Sequence, residues 1–408
     1  MSETPKPAHP GARMPVRPSL FNGGLFRIGM NMLFGDRAKL AMLLCGMTFS
    51  ALLMSQQSSI FFGIMGWTYT PLTNIRAKIW VSDPKVEQVN DAKPMRDTDV
   101  NRVRSVDGVS WAAPLHTSLT QARLLDGNFK LIQLVGIDAS TLAGAPAVMV
   151  AGDIEALRMP NTVIIDEFGA ERLGRTDPAT GERVNLGVGD TFELNDQEAR
   201  IVGVCKAKRS FTGGPFVYTT YDRAIRYSPG QRRTLSFVLA EPTPGESSEA
   251  VAQRISDTTV LRAWTEADLA DRTFWWYWVN TGIPVSFGTT IILGMVVGIA
   301  ISGQTFYAFV LDNLKYLAAL KAMGATNWTL CRMLVLQAVT AGLIGYGLGV
   351  GLASVMGRKM AEKGMPPFVM YPEILILTFA LIMGISLTSA AIGILRVARV
   401  DPASVFRS

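Results

Sequence analysis

The chain has 408 residues, 49% of them hydrophobic and only 18% charged, with a formal net charge of +6. That balance is too apolar for an ordinary soluble domain, and the three cysteines, Cys45, Cys205 and Cys331, exclude a disulfide framework. Much of the positive excess sits beside apolar runs, where Lys and Arg fix topology and meet anionic lipid headgroups. No basic stripe is interleaved with aromatics, which excludes nucleic acid as a partner.

In chain order, Met1 to Pro18 is a Pro-rich polar tail without a small-residue cleavage site after the first apolar run. Leu20 to Phe34 reads as an interfacial segment, apolar around Arg27, lying on the inner leaflet. Residues 1–39 therefore form a cytoplasmic tail and interfacial helix. Leu40 to Ile64 is the first span, long enough to cross about 30 Å of hydrocarbon. Arg27, Arg37 and Lys39 before it place the N-terminus in the cytoplasm. Its second half carries Ser55, Gln56, Gln57, Ser58 and Ser59, polar groups expected to face other helices or to lie beyond the bilayer.

No second run of spanning length occurs between Trp67 and Asn280, so this stretch is a large α+β domain on the outer side of the membrane. Asp97 to Val106 reads as a short helix. Ser118 to Leu124 and Lys130 to Ile137 form a hairpin around Asp126-Gly127-Asn128, and Thr191 to Leu194 with Ala199 to Val204 another, turning at Asn195-Asp196. Thr162 to Asp166 is a buried strand followed by a helix, Glu167 to Leu173. Leu235 to Leu239 and Thr259 to Ala263 read as strands flanking a helix, Ser247 to Ser256. The domain closes on Phe274-Trp275-Trp276-Tyr277-Trp278, an aromatic belt level with Trp67 and Tyr69, so it hangs from two neighbouring helical stems.

Ile283 to Ile301 is the second span, with Gly294 and Gly298 in small-xxx-small spacing. Leu311 to Thr326 is rich in helix formers and stops at Gly324, with Asn327 placed to cap the next helix. Met333 to Val355 is the third span, with Gly345, Gly349 and Ala353 on one face and Gly347 and Gly351 beside it. Gly357 to Tyr371 reads as a short outer hairpin, and Pro372 to Ile394 as the fourth span. Arg396, Arg399 and Arg407 close the chain on the cytoplasmic side.

No catalytic constellation stands out. His9 and His116 are solitary, there is no metal-ligand spacing, and no G-x-x-x-x-G-K-[ST] loop exists with which the chain could hydrolyse ATP. Gly187-Val188-Gly189 reads as a turn, and His116 as a structural histidine. A receptor-like scaffold and a membrane-anchored enzyme are the competing classes, the latter disfavoured by the missing nucleophile, metal and acid–base set.

Three stretches carry a resemblance. Leu314-Lys-Tyr-Leu-Ala-Ala-Leu-Lys-Ala-Met-Gly-Ala-Thr326 resembles the coupling helix of the MacB/FtsX class of ABC-transporter permeases. Arg399-Val-Asp-Pro-Ala-Ser-Val-Phe-Arg407 resembles its tail. Thr162-Val-Ile-Ile-Asp166 with Val188 to Leu194 and Ile201 to Val204 resembles its β-rich outer part. Gly303-Gln-Thr-Phe-Tyr307 is similar to the DevC-like branch, whose members work with periplasmic adaptors. Tyr316 departs from the acidic residue many members carry there.

The resemblance implies four transmembrane helices and an outer domain with porter-like and β-rich parts. It implies a homodimer in the bacterial inner membrane, with ATP and Mg²⁺ on a separate ATPase subunit and no cofactor on this chain. A periplasmic adaptor and an outer-membrane channel complete the implied assembly. Leu314, Lys315, Leu317, Leu320, Lys321 and Gly324 would meet the ATPase, with Leu314, Leu317 and Leu320 seated in a groove on it. Gln56, Gln57, Trp275, Trp276 and Trp278 would transmit motion along the stems. Export, lipoprotein extraction and control of cell-wall hydrolases are all compatible with such a machine.

Overall fold

The computed structural model describes residues 23–176, 182–230, 234–363 and 366–398. The N-terminal tail and Arg399 to Arg407 lie outside the described residues. The chain divides into two compact units, one built from residues 1–59, 287–365 and 369–408, the other from 60–286 with 366–368. Among the described residues, four helices are long and apolar enough to cross a membrane.

Helix α1 (Gly23–Gly35) is more than a surface segment. Gly29 lies under Met333, its carbonyl accepts a 2.7 Å hydrogen bond from Gln337 Nε2, and Leu33 is buried beside Leu317 and Leu330. A backbone without Cβ at Gly29 thus lets α1, expected as an interfacial segment, lie directly on another helix. Helix α2 (Arg37–Thr68) runs unbroken through Ser55–Ser59. Ser55 returns its hydroxyl to the Ala51 carbonyl at 2.6 Å, and Ser58 and Ser59 are buried, while Gln56 and Gln57 are half-buried. Ser55 tolerates this setting because its hydroxyl bonds the preceding helical turn, whereas Ser59 Oγ has no partner among the described residues.

The outer unit begins with α3 (Thr70–Asn74) and then β1 (Ile79–Ser82), α4 (Thr98–Arg104), β2 (Val109–Arg123), β3 (Phe129–Ile137), β4 (Met149–Gly152) and β5 (Thr162–Asp166). It continues through α5 (Glu167–Arg172), β6 (Arg175–Thr176), β7 (Arg183–Val184), β8 (Thr191–Leu194), β9 (Gln197–Cys205), β10 (Phe216–Thr220) and α6 (Tyr221–Tyr227). It ends with β11 (Phe237–Pro242), α7 (Ser248–Thr258), β12 (Arg262–Thr265) and α8 (Glu266–Asn280). The last strand thus starts at Arg262, not Thr259, because Thr259 caps α7 with its N–H on the Ile255 carbonyl.

Ten strands form one sheet in the order β12-β1-β11-β2-β3-β10-β5-β9-β4, with β8 bridging β2 and β9. Strand β2 belongs to both halves: Val109 to Leu115 pair with β11, and His116 to Arg123 with β3. Pairing then runs β2-β3-β10-β5-β9-β8 and back to β2, closing a ring that leaves few edges. Phe192, Ile201, Val217 and Tyr227 are among the residues that fill it. The hairpin between β8 and β9 turns at Asn195 (φ 49°) and Asp196 (φ 58°), two residue types that accept the left-handed region a two-residue turn requires.

Beyond the domain come α9 (Ile283–Asp312), α10 (Leu314–Ala322), α11 (Asn327–Lys363) and α12 (Pro372–Ala398). Helix α11 continues to Lys363, so Gly357–Lys363 is helical rather than part of a hairpin; Arg358, Lys359 and Glu362 are good helix formers carried past the apolar stretch. A methyl group at Gly345 would lie 2.5 Å from Met47 Cβ, and one at Gly349 2.5 Å from Ala51 Cβ and 2.6 Å from the Thr48 carbonyl oxygen. Ala353 is fully buried. Gly298 meets Ser50 and Ile385 closely, whereas Gly294 has ordinary contacts with Leu53 and Met54, and Gly347 and Gly351 face open space. The small residues therefore set how near α9 and α11 come to α2.

Candidate functional site

Helix α10 is fastened at both ends. At its start, Asn313 donates from Nδ2 to the Phe309 carbonyl at 2.8 Å. One residue earlier, Asp312 pairs with Lys39, which also pairs with Asp36 at 2.8 Å. At its end, Gly324 N–H donates to the Lys321 carbonyl at 3.1 Å and Ala325 N–H to the Leu320 carbonyl at 3.0 Å. These two bonds make a Schellman cap, and it requires Gly324 at φ +100°. Thr326 caps the following helix by accepting from Thr329 N–H at 3.3 Å, a role expected of Asn327; Asn327 is instead the first residue of α11.

The faces of α10 are unequal. Leu317 (1% exposed) is buried among Phe306, Phe309, Leu330 and Met333, Leu320 packs against the same cluster, and Ala318 is buried as well. Leu314 is half-buried. Leu317 and Leu320, expected to sit in a partner's groove, thus pack into the chain's own core, because a short helix between two spans must itself bury an apolar stripe. Lys315 is exposed, Lys321 is half-buried, and the outward surface is apolar and aromatic: Tyr316 is 65% exposed, Met323 76% and Trp328 71%. The sequence singled out Tyr316 only as a departure from an acidic residue, and neither Met323 nor Trp328 as outward. The signal was there in Tyr316 and Trp328, large side chains off the Leu314-Leu317-Leu320 series, beside Lys315 and Asn327.

In the outer unit the two stems meet. Phe61 of α2 and Trp278 of α8 stack edge-to-face at 5.4 Å. Trp276 donates from Nε1 to Glu87 at 2.8 Å, while Trp275 is largely exposed. Asn90 donates to the Thr68 carbonyl at 2.7 Å, and Val89 N–H to Thr273 Oγ1 at 3.1 Å. The ends of α2 and α8 are therefore pinned to the loop after β1 as well as to each other.

The titratable groups of this unit serve structure. Nδ1 of His116 lies 2.8 Å from the Thr234 carbonyl and Nε2 2.8 Å from Ser228 Oγ. His116 and Ser228 are buried, and burial lowers the imidazole pKa against the upward pull of the Thr234 bond. Asp166 caps α5 through Gly169 N–H at 2.6 Å and also accepts from Phe216 N–H at 3.2 Å; burial pushes its carboxyl up to about 6. Burial likewise raises the Cys205 thiol to about 12, far from a nucleophilic thiolate.

Residues 47–258 match the MacB-like periplasmic core domain, and residues 288–402 the FtsX-like permease C-terminal domain. The first match alone spans more than half of the chain. The chain belongs to the MacB/FtsX family of ABC-transporter permeases. It is accordingly a multi-pass membrane protein with a periplasmic domain, and the family implies association with an ABC ATPase subunit.

No curated protein sequence matches the chain. Among solved structures, the periplasmic region of MacB from Actinobacillus actinomycetemcomitans is 11% identical, covering 48% of this chain and 92% of its own, with a TM-score of 0.36. The extracellular domain of the noncanonic ABC-type transporter YknZ from Gram-positive bacteria is 16% identical, covering 46% and 99%, at 0.32. A domain of a putative permease protein from Porphyromonas gingivalis is 14% identical, covering 45% and 78%, at 0.29.

Proposed function

We propose that this permease couples ATP hydrolysis on a separate nucleotide-binding subunit to movement of its periplasmic domain, and so drives export together with a periplasmic adaptor. The observation that carries the reading is the division of α10 and the turn after it: Leu317 is sunk into the membrane unit's core while Tyr316, Met323 at the helix end and Trp328 at the start of α11 stand outside it. A push on the outer face would be passed to α9 and α11 through packed side chains, since a dense interior does not absorb displacement.

Two copies would pair in the inner membrane, with ATP and Mg²⁺ held by the partner subunits and an outer-membrane channel completing the route. The pinned stems, joined by Phe61 and Trp278, are the segments on which such movement would act.

Reconstitution tests the reading. The purified chain in lipid nanodiscs is expected to show no ATPase activity, to bind its ABC ATPase subunit, and to stimulate that subunit's hydrolysis further when the adaptor is added. Strong hydrolysis by the chain alone, after contaminants are excluded, would contradict it. So would an ATPase indifferent to the chain's presence.

A further inference from the structure

The loop joining β9 to β10 is laced to the ends of both stems. Phe211 N–H donates to the Trp67 carbonyl at 3.1 Å, satisfying one of the carbonyls that the end of α2 leaves open. Its ring meets Tyr277 of α8 edge-to-face at 5.1 Å. Lys208 is held by its main chain: Asn74 donates from Nδ2 to its carbonyl at 2.8 Å, and Asn74 Oδ1 accepts from its N–H at 2.9 Å. Trp67 comes shortly after Ile64, the end of the first span, about 5 Å further along a helix. The headgroup layer beyond the hydrocarbon is roughly 5–8 Å deep on each side, so the loop is pinned at headgroup depth.

What it carries there is positive charge around an apolar ring. Arg76, Lys206 and Lys208 are exposed, and none of them has an ion pair among the described residues. Arg209 lays its guanidinium 4.0 Å from the centre of the Phe168 ring, and Phe211 is 38% exposed. The carboxylates around these cations are fewer: Glu266 lies in the field of Arg76 and Lys208, Glu167 is exposed, and Asp166 is buried and engaged with Gly169 and Phe216. The orientation of the spans does not account for the charge. Basic residues set topology from the cytoplasmic side and close to span ends, whereas Lys206, Lys208 and Arg209 are on the outer side and far along the chain from any span.

We propose that this loop, with Arg76, is a docking surface for the phosphate of an anionic phospholipid in the outer leaflet. Arg76, Lys206 and Lys208 supply the charge, and the exposed edge of Phe211 enters the boundary between headgroups and acyl chains. The occupant is a lipid phosphodiester rather than free phosphate, because the ring beside the charges offers apolar surface that only a lipid meets. The same loop closes the end of α2 and touches α8, so lipid bound there steadies the two stems where the outer unit begins. The inference stands whether or not the chain drives export.

The test is hydrogen exchange of the amides from Lys206 to Phe216, with the full chain in nanodiscs of phosphatidylcholine alone or of an equal mixture with phosphatidylglycerol. Phosphatidylglycerol is expected to slow exchange in this loop by at least about five-fold, the factor that one basic residue's attraction to an anionic surface supplies. Lys206→Gln combined with Lys208→Gln should exchange like wild type in phosphatidylcholine and lose the response to phosphatidylglycerol. Lys206→Arg combined with Lys208→Arg should keep it. Inorganic phosphate added to phosphatidylcholine nanodiscs should leave the loop unchanged. Equal exchange in the two lipids overturns the proposal, as does a phosphatidylglycerol response that survives the double Gln variant. Protection by inorganic phosphate alone overturns it too, since the loop would then bind any anion and not a lipid.

Discussion

Tyr316 and Leu317 are consecutive residues on different faces of one nine-residue helix, about 100° apart around its axis, the first 65% exposed and the second 1%. That difference separates what holds α10 in place from what it can offer a partner, and the two faces respond differently to mutation.

Leu317→Ala removes packing from the core shared with Phe306, Phe309 and Met333, and should cost about 2–5 kcal/mol. Thermal unfolding of the chain in detergent should show a clear drop for Leu317→Ala. Tyr316→Ala should leave the transition within about 0.5 kcal/mol of wild type, as exposed substitutions usually do. Equal destabilisation by both would mean that the helix is not seated as described.

Gly324 and Gly349 are needed for different reasons. At Gly324, with φ +100° and open space around it, any β-branched residue strains the backbone alone, so Gly324→Val should cost about 1–2 kcal/mol and Gly324→Asn much less. At Gly349 the conformation is ordinary, but α2 is too near for a side chain, so even Gly349→Ala should lower stability, whereas Gly347→Ala should not. Unfolding midpoints of the four variants check both halves of the argument.

Two buried groups of the outer unit oppose each other in acid. The folded pKa of Asp166, about 6, lies above its ordinary 3.8, so the native state holds the extra proton and Asp166 favours folding as pH falls through that window. His116 has a lowered folded pKa, so the unfolded state holds the extra proton and stability is lost as pH falls through 6.5. Asp166→Asn should therefore make the outer domain lose stability more steeply between pH 6.5 and 4 than wild type does. Hydrogen exchange of β5 and β10 amides across that range reads it, and an unchanged slope would refute the assignment.

The turns and spans were legible because they rest on local chemistry. Asn195-Asp196 specifies its hairpin by itself, and the four-residue spacing of Gly345 and Gly349 marks a face whatever it meets. Strands β1 and β10 were not legible: Ile79–Ser82 and Phe216–Thr220 are buried on both sides, so they lack alternation, and β10 pairs in parallel with β3 across a long connection. Most instructive is α10, whose existence and end were written in Leu314–Ala322 and Gly324. Which face points inward depended on Phe306 and Leu330 arriving from helices on either side, and no pattern within the helix states that.

The central claim is that the outward face of α10 and the start of α11 receives the ATPase. Its most direct test is the affinity of the partner ATPase subunit for the full chain in nanodiscs, measured for Tyr316→Ala, Met323→Ala and Trp328→Ala beside wild type. Exposed aromatic anchors of this kind often carry 2 kcal/mol or more of binding. Trp328→Ala and Tyr316→Ala are therefore expected to weaken binding by at least about ten-fold and to lower stimulated hydrolysis in step, with unfolding transitions unchanged. Three folded variants that bind and stimulate like wild type would contradict the account.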